Sequence, residues 1–152
     1  MNTRDQNALL GGAMPDVQGS ADARQQPIQQ VGVKGLRYPM RWRGADGDEQ
    51  PGVGSFGLYV ALPAEQKGTH MSRFVAWLND LTALEAPLDA TALRDRLAAM
   101  LHRLGAAEGR IEARFSFFLR KRAPVSGVHS LLDYQGRWIA ETRAGSTSIW
   151  AE

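Results

Sequence analysis

The residues with the strongest chemical potential lie in the octapeptide KGTHMSRF, residues 67–74. Lys67, Thr69, His70, Ser72 and Arg73 gather around the expected start of a helix, where free backbone N–H groups and the helix dipole favour anions. His70 and Arg73 are therefore the candidate substrate-binding pair, suited to a phosphate or carboxylate, with His70 also a candidate general acid. The same spacing equally suits plain capping by Thr69 or Ser72, with His70 and Arg73 in solvent, and the two readings stand side by side. The other histidines, His102 and His129, lie far off and lack a neighbouring Asp, Glu or His at zinc-site spacing. With no Cys in the sequence there is no thiolate for a metal or a nucleophile. No catalytic and no metal-ligating residue is named. GVGSFG, residues 52–57, matches neither a Walker nor a Rossmann loop.

A second chemical feature is charge. Residues 110–122 carry five basic residues against Glu112, an excess of +4, in a chain whose net charge is only +2. A basic strand can meet phosphates, or simply be a solvated face. Alternation sends Lys121 to the opposite side from Arg120 and Arg122, so the three do not make one patch.

The elements that must position these groups follow from periodicity. Val31 and Val33 alternate with polar or glycine positions, then Leu36, Tyr38, Met40 and Trp42 alternate in the other parity, with Gly35 at the switch, as in a bulged strand. GADGDEQPG predicts a turn, and Val53–Leu62 a second strand with Phe56, Leu58, Val60 and Leu62 on one face. Phe74, Trp77, Leu78 and Leu81 mark a first helix. Leu93, Leu97, Met100, Leu101 and Leu104 mark a second, capped near Asp89 and stopped at Gly105. Strands are expected over 110–122, with Ile111, Ala113, Phe115, Phe117 and Leu119 on one face, over 128–140, and from Ser146. Phe115, Phe117 and Leu119 are expected to pack on Trp77, Leu78, Leu97 and Leu101. The order β-β-α-α-β-β predicts an α+β fold, an antiparallel sheet with two helices on one face.

Length and composition bound the rest. The 152 residues, 43% hydrophobic and 22% charged, suit one domain. Every aromatic lies at or beyond Tyr38, and residues 1–26 predict a flexible tail ahead of a folded unit over 27–152. No apolar run reaches the roughly 18 residues of a membrane span, and the N-terminus does not read as a secretory signal. A cytoplasmic protein is expected, with no membrane or nucleic-acid partner. The chain stops inside an apparent strand at Ile149–Glu152, which predicts a unit cut short at its C-terminal end.

Four blocks occur in a telling order: MPDVQ (14–18), VGVKGLRYP (31–39), KGTHMSRF (67–74) and FFLRKRAPVSGVHSLLDY (117–134). They resemble the N-terminal portion of the type IB GTP cyclohydrolases, a bacterial family. The resemblance implies a tunnelling-fold unit, the first half of a tandem, in chains that self-associate into homo-oligomers with active sites between subunits. It implies conversion of GTP and water to 7,8-dihydroneopterin triphosphate and formate in folate biosynthesis, with zinc or another divalent metal activating the water. The family's cysteine motif has no counterpart here, so its metal and catalytic residues are not carried over, and this chain alone is expected to be inactive and to bind no metal tightly. The alternative is a non-catalytic tunnelling-fold module that binds a purine or pterin or serves in assembly.

Overall fold

The computed structural model describes residues 27–152; the tail expected over residues 1–26 lies outside them. Seven elements follow one another: β1 (Ile28–Arg43), β2 (Glu49–Leu62), α1 (Met71–Ala83), α2 (Ala90–Leu104), β3 (Gly109–Arg122), β4 (His129–Arg143) and β5 (Ser146–Ala151). The strands form one antiparallel sheet in chain order β1-β2-β3-β4-β5. The helical pair enters between β2 and β3, giving the expected α+β architecture.

The parity switch in β1 has the expected cause. The β1–β2 register slips between Val33 and Leu36, and Gly35 sits there at φ +72°, a conformation glycine adopts without a Cβ penalty. β2 starts earlier than the alternation predicts, at Glu49 rather than Val53. Pro51 is tolerated because β2 has only β1 beside it there, the β3 ladder beginning at Gly54. Phe56, Leu58, Val60 and Leu62 are all buried, and burying each contributes roughly 1.5–3 kcal/mol before entropy is counted.

Both helices bury the stripes expected of them, except that Leu104 at the end of α2 is only half-buried. Asp89 caps α2 through its carboxylate, which accepts the Ala92 N–H at 2.7 Å, and Gly105 ends it in the left-handed region at φ 64°. α1 corrects the expectation. Its N-cap is His70, not Thr69 or Ser72, and no side chain caps it. The buried stripe of Phe74, Trp77, Leu78 and Leu81 sets where the helix starts, and hydroxyl propensity does not override it.

α1 packs on β1, and α2 on β3, β4 and β5. Leu88, in the link between the helices, is 1% exposed and exchanges backbone hydrogen bonds with Arg41 and Arg43 at 2.7 and 2.9 Å. That tie fixes the end of β1 that carries Trp42.

The expected packing of the β3 face holds only in part. Ile111, Ala113 and Phe115 are buried in the common core with both helices, and Phe115 also stacks on Trp42 with ring centroids 4.0 Å apart. Phe117 is half-buried beside Tyr134, and Leu119 is exposed. Length explains this. A 15-residue helix such as α2 spans about 22 Å, whereas 14 residues of strand span about 46 Å, so the helices cannot cover β3 to its end.

Candidate functional site

The predicted pair sits at the entry to α1. His70 occupies the N-cap with extended backbone, φ −77° and ψ 99°, and its carbonyl accepts the Arg73 N–H at 3.0 Å. His70 is half-buried and Arg73 exposed, and the first turn holds no acidic residue to compete for the free N–H groups. The structure thus brings His70 and Arg73 into one helix turn. Neither lines the aromatic cleft at the far end of β1.

That cleft, of about 440 Å³, opens between the β1–β2 turn and the β3–β4 pair. Trp42, Phe115, Phe117, Leu119 and Trp138 form its apolar wall, and Arg43, Asp46, Asp48 and Glu152 its polar rim. Trp42, Phe115 and Trp138 form a triangle of rings, Phe115 lying 4.0 Å from Trp42 and 4.5 Å from Trp138 and the two indoles 5.9 Å apart between centroids. Glycines make room for these rings. A Cβ at Gly52 or Gly54 would lie 2.9 or 2.7 Å from the Trp42 indole, and one at Gly136 would lie 2.9 Å from the Phe115 ring. The Trp42 Nε1–H is buried and finds no acceptor among the described residues.

Where β2 parts from β3, the Gln50 side chain continues the ladder. Its amide donates to the Phe118 carbonyl at 2.8 Å and accepts the Phe118 N–H at 2.9 Å. One side chain thereby satisfies a backbone that would otherwise lose its strand partner.

The sheet face away from the helices carries the charge. Cross-strand register puts Arg37, Ser55, Arg114 and Arg137 in one row. Arg114 and Arg137 stand directly opposite, an arrangement that is unfavourable unless an anion intervenes. Glu112 is that anion: it lies 2.7 Å from Arg114, 2.9 Å from Arg137 and 3.3 Å from Arg110, with only 12% of its side chain exposed. Burial works to raise its pKa, but hydrogen bonds from Arg137 and Arg114 and their charges outweigh it, and the carboxyl sits below its usual value. Arg137, bonded to both Glu112 and Glu152, is held still more firmly protonated. Sequence reading noted the basic excess of β3 but not this cluster. Period-2 spacing could have joined Arg110, Glu112 and Arg114, whereas Arg137 arrives only through the β3–β4 register.

No group of three or more His, Asp or Glu side chains that could hold a metal occurs among the described residues, and the sequence has no Cys. The described residues therefore do not fit a divalent metal site. Among the described residues no helix is long and apolar enough to cross a membrane.

The family model of type I GTP cyclohydrolase FolE2 matches residues 14–151, nearly the whole chain. The chain belongs to that family. It is 65% identical over 140 residues to a GTP cyclohydrolase FolE2 of Methylibium petroleiphilum, covering 91% of this chain and 47% of that protein. It is 53% identical over 137 residues to one of Paraburkholderia phymatum, covering 90% and 50%. A third, of Burkholderia pseudomallei, is 52% identical over 140 residues, covering 92% and 52%. The chain spans about half the length of the curated relatives it matches. The helix entry, the aromatic cleft and the arginine row are thus features of a segment of FolE2 type.

Proposed function

We propose that this chain works as part of a GTP cyclohydrolase of the type IB kind, releasing formate and 7,8-dihydroneopterin triphosphate from GTP and water in the cytoplasm. The observation that carries the reading is the family match across residues 14–151, supported by relatives of 52–65% identity that bear the name GTP cyclohydrolase. The sheet order and helical pair are consistent with one tunnelling-fold unit over residues 27–152, the first of a tandem. Zinc or another divalent ion is assigned to ligands that this chain does not span, and the complete protein to a homo-oligomer.

In this reading His70 and Arg73 hold the triphosphate of GTP. The support is their shared helix turn, its free N–H groups, and the absence of an acidic residue there. Arg73 adds charge-assisted hydrogen bonds to phosphate oxygens. The test uses a protein of full family length carrying this segment, given GTP with zinc or manganese, with formate and pterin fluorescence followed. Arg73→Ala is expected to raise KM for GTP about tenfold or more, with kcat and thermal stability little changed. Unchanged GTP kinetics would return the segment to plain helix entry, and no turnover by the unmodified protein would favour the non-catalytic module.

A further inference from the structure

On the sheet face away from the helices, arginines outnumber the carboxylates that hold them. Toward the end of β1, Arg41 and Arg43 share Glu49 at 3.2 and 3.0 Å, and on β3 and β4 Arg110, Arg114 and Arg137 share Glu112. Arg37 differs. It is exposed, and its side chain makes no ion pair or hydrogen bond among the described residues. Register places it across Ser55 from Arg114, two strand spacings or about 10 Å away between Cα atoms. Arginine side chains reaching in from both sides close such a gap around one small ion. Arg114 meets Glu112 through Nε and Nη2, which leaves the N–H groups of Nη1 for another acceptor.

Two hydroxyls join these donors. Ser55 lies between the arginines in the row and is half-buried. Tyr59 stands on the same face of β2, and its ring folds back over Gly57: a Cβ there would lie 2.9 Å from the phenolic oxygen. Gly57 is the position between Tyr59 and Ser55 on that face, so the missing side chain lets the Tyr59 hydroxyl approach Ser55. Neither hydroxyl makes a hydrogen bond among the described residues. Two guanidinium groups and two hydroxyls therefore converge without an acceptor. Their charge excludes a cation, and a carboxylate brings only two oxygens to four groups. A phosphate brings more oxygens and the charge to match. We propose that Arg37, Ser55, Tyr59 and Arg114 bind a phosphate group, as the free ion or as the end of a phosphomonoester. The site lies on the opposite side of the sheet from α1, whose start carries His70 and Arg73, and does not rest on the GTP reading.

The full chain is titrated calorimetrically with inorganic phosphate and, in parallel, with glycerol phosphate, at constant ionic strength set by chloride. Saturable binding is expected. Arg37→Ala should weaken it about tenfold or more while the melting temperature of the ligand-free chain stays the same, and Tyr59→Phe should weaken it by a smaller factor. Arg120 is the control for net charge. It lies on the same face but farther out, in the two-stranded ribbon that residues 116–135 of β3 and β4 form beyond the last β2 pairing at Gly54. Arg120→Ala should leave the affinity unchanged. Glu112→Gln should tighten binding, because it releases Arg114 from its carboxylate. If that variant disturbs folding, Arg37→Ala and Tyr59→Phe decide. Glycerol phosphate binding as tightly as phosphate assigns the site to a phosphoryl group on a larger molecule, and weaker binding assigns it to the free ion. Absence of saturable binding overturns the proposal. So does an equal loss from Arg37→Ala and Arg120→Ala, which would mean diffuse charge attraction only. Failure of GTP turnover in a protein that still binds phosphate here would sink the enzymatic reading alone.

Discussion

Strand β3 passes through two environments within its 14 residues. Its first half has strands on both sides and helices above, and Ile111 and Ala113 are wholly buried. Its second half has one neighbour, β4, and no helix long enough to reach it. The alternation of residue types hardly changes between them: Phe117 and Leu119 continue the apolar series of Ile111 and Phe115. Periodicity reports which way side chains point, and it is silent about what waits for them. The arginine row makes the same point on the opposite face. Glu112 bridges the arginines of the supported half, while Arg120 and Arg122 form no salt bridge among the described residues.

Substitutions along the strand would break or sharpen that contrast. Phe115→Ala, at the boundary but fully packed, should cost about 3–5 kcal/mol in urea unfolding, because the indole of Trp42 cannot collapse into the space. A loss below about 1 kcal/mol would mean the supported half ends before Phe115. Glu112→Gln should cost about 1–2 kcal/mol at neutral pH, leaving Arg114 and Arg137 opposed without an anion. Since folding lowers the Glu112 pKa, its contribution is present above the unfolded carboxylate value of about 4.3 and is lost as pH falls through the lower folded value. Stability curves of the two proteins should therefore converge in acid, and a constant gap would assign the effect to packing. Gln50→Ala should cost about 1 kcal/mol and speed amide exchange at Phe118 more than at Ile111. Unchanged exchange at Phe118 would show that the ribbon needs no clamp. Leu131→Ala should stay within about 0.5 kcal/mol in the monomer, whatever it does to association.

Much of the supported half was legible in the sequence. The Gly35 switch, the buried face of β2, the Asp89 cap and the Gly105 stop each rest on local chemistry, and each is found where it was expected. The misreadings concern relations between elements. His70 rather than a hydroxyl residue begins α1 because the helix is phased by what it buries. Leu119 lies exposed rather than under the helices because strands rise twice as fast per residue as helices. Of the candidate site, the residue types at 67–74 were readable, and their gathering into one helix turn followed from periodicity. The cleft and the fourth member of the Glu112 cluster depend on register across strands far apart in the chain, which no local pattern encodes.

The glycines beneath the aromatic wall tie distant codons together. Gly52 and Gly54 leave no space for a methyl group while the Trp42 indole lies over them, and Gly136 leaves none beside Phe115. An alanine at any of these positions becomes tolerable only after the ring above it shrinks, and a shrunken ring leaves a void that only a larger neighbour fills. Accumulating substitutions should therefore meet sign epistasis here: Trp42 with Gly52, Trp42 and Phe56 with Gly54, and Phe115 with Gly136, change as sets or stay as they are.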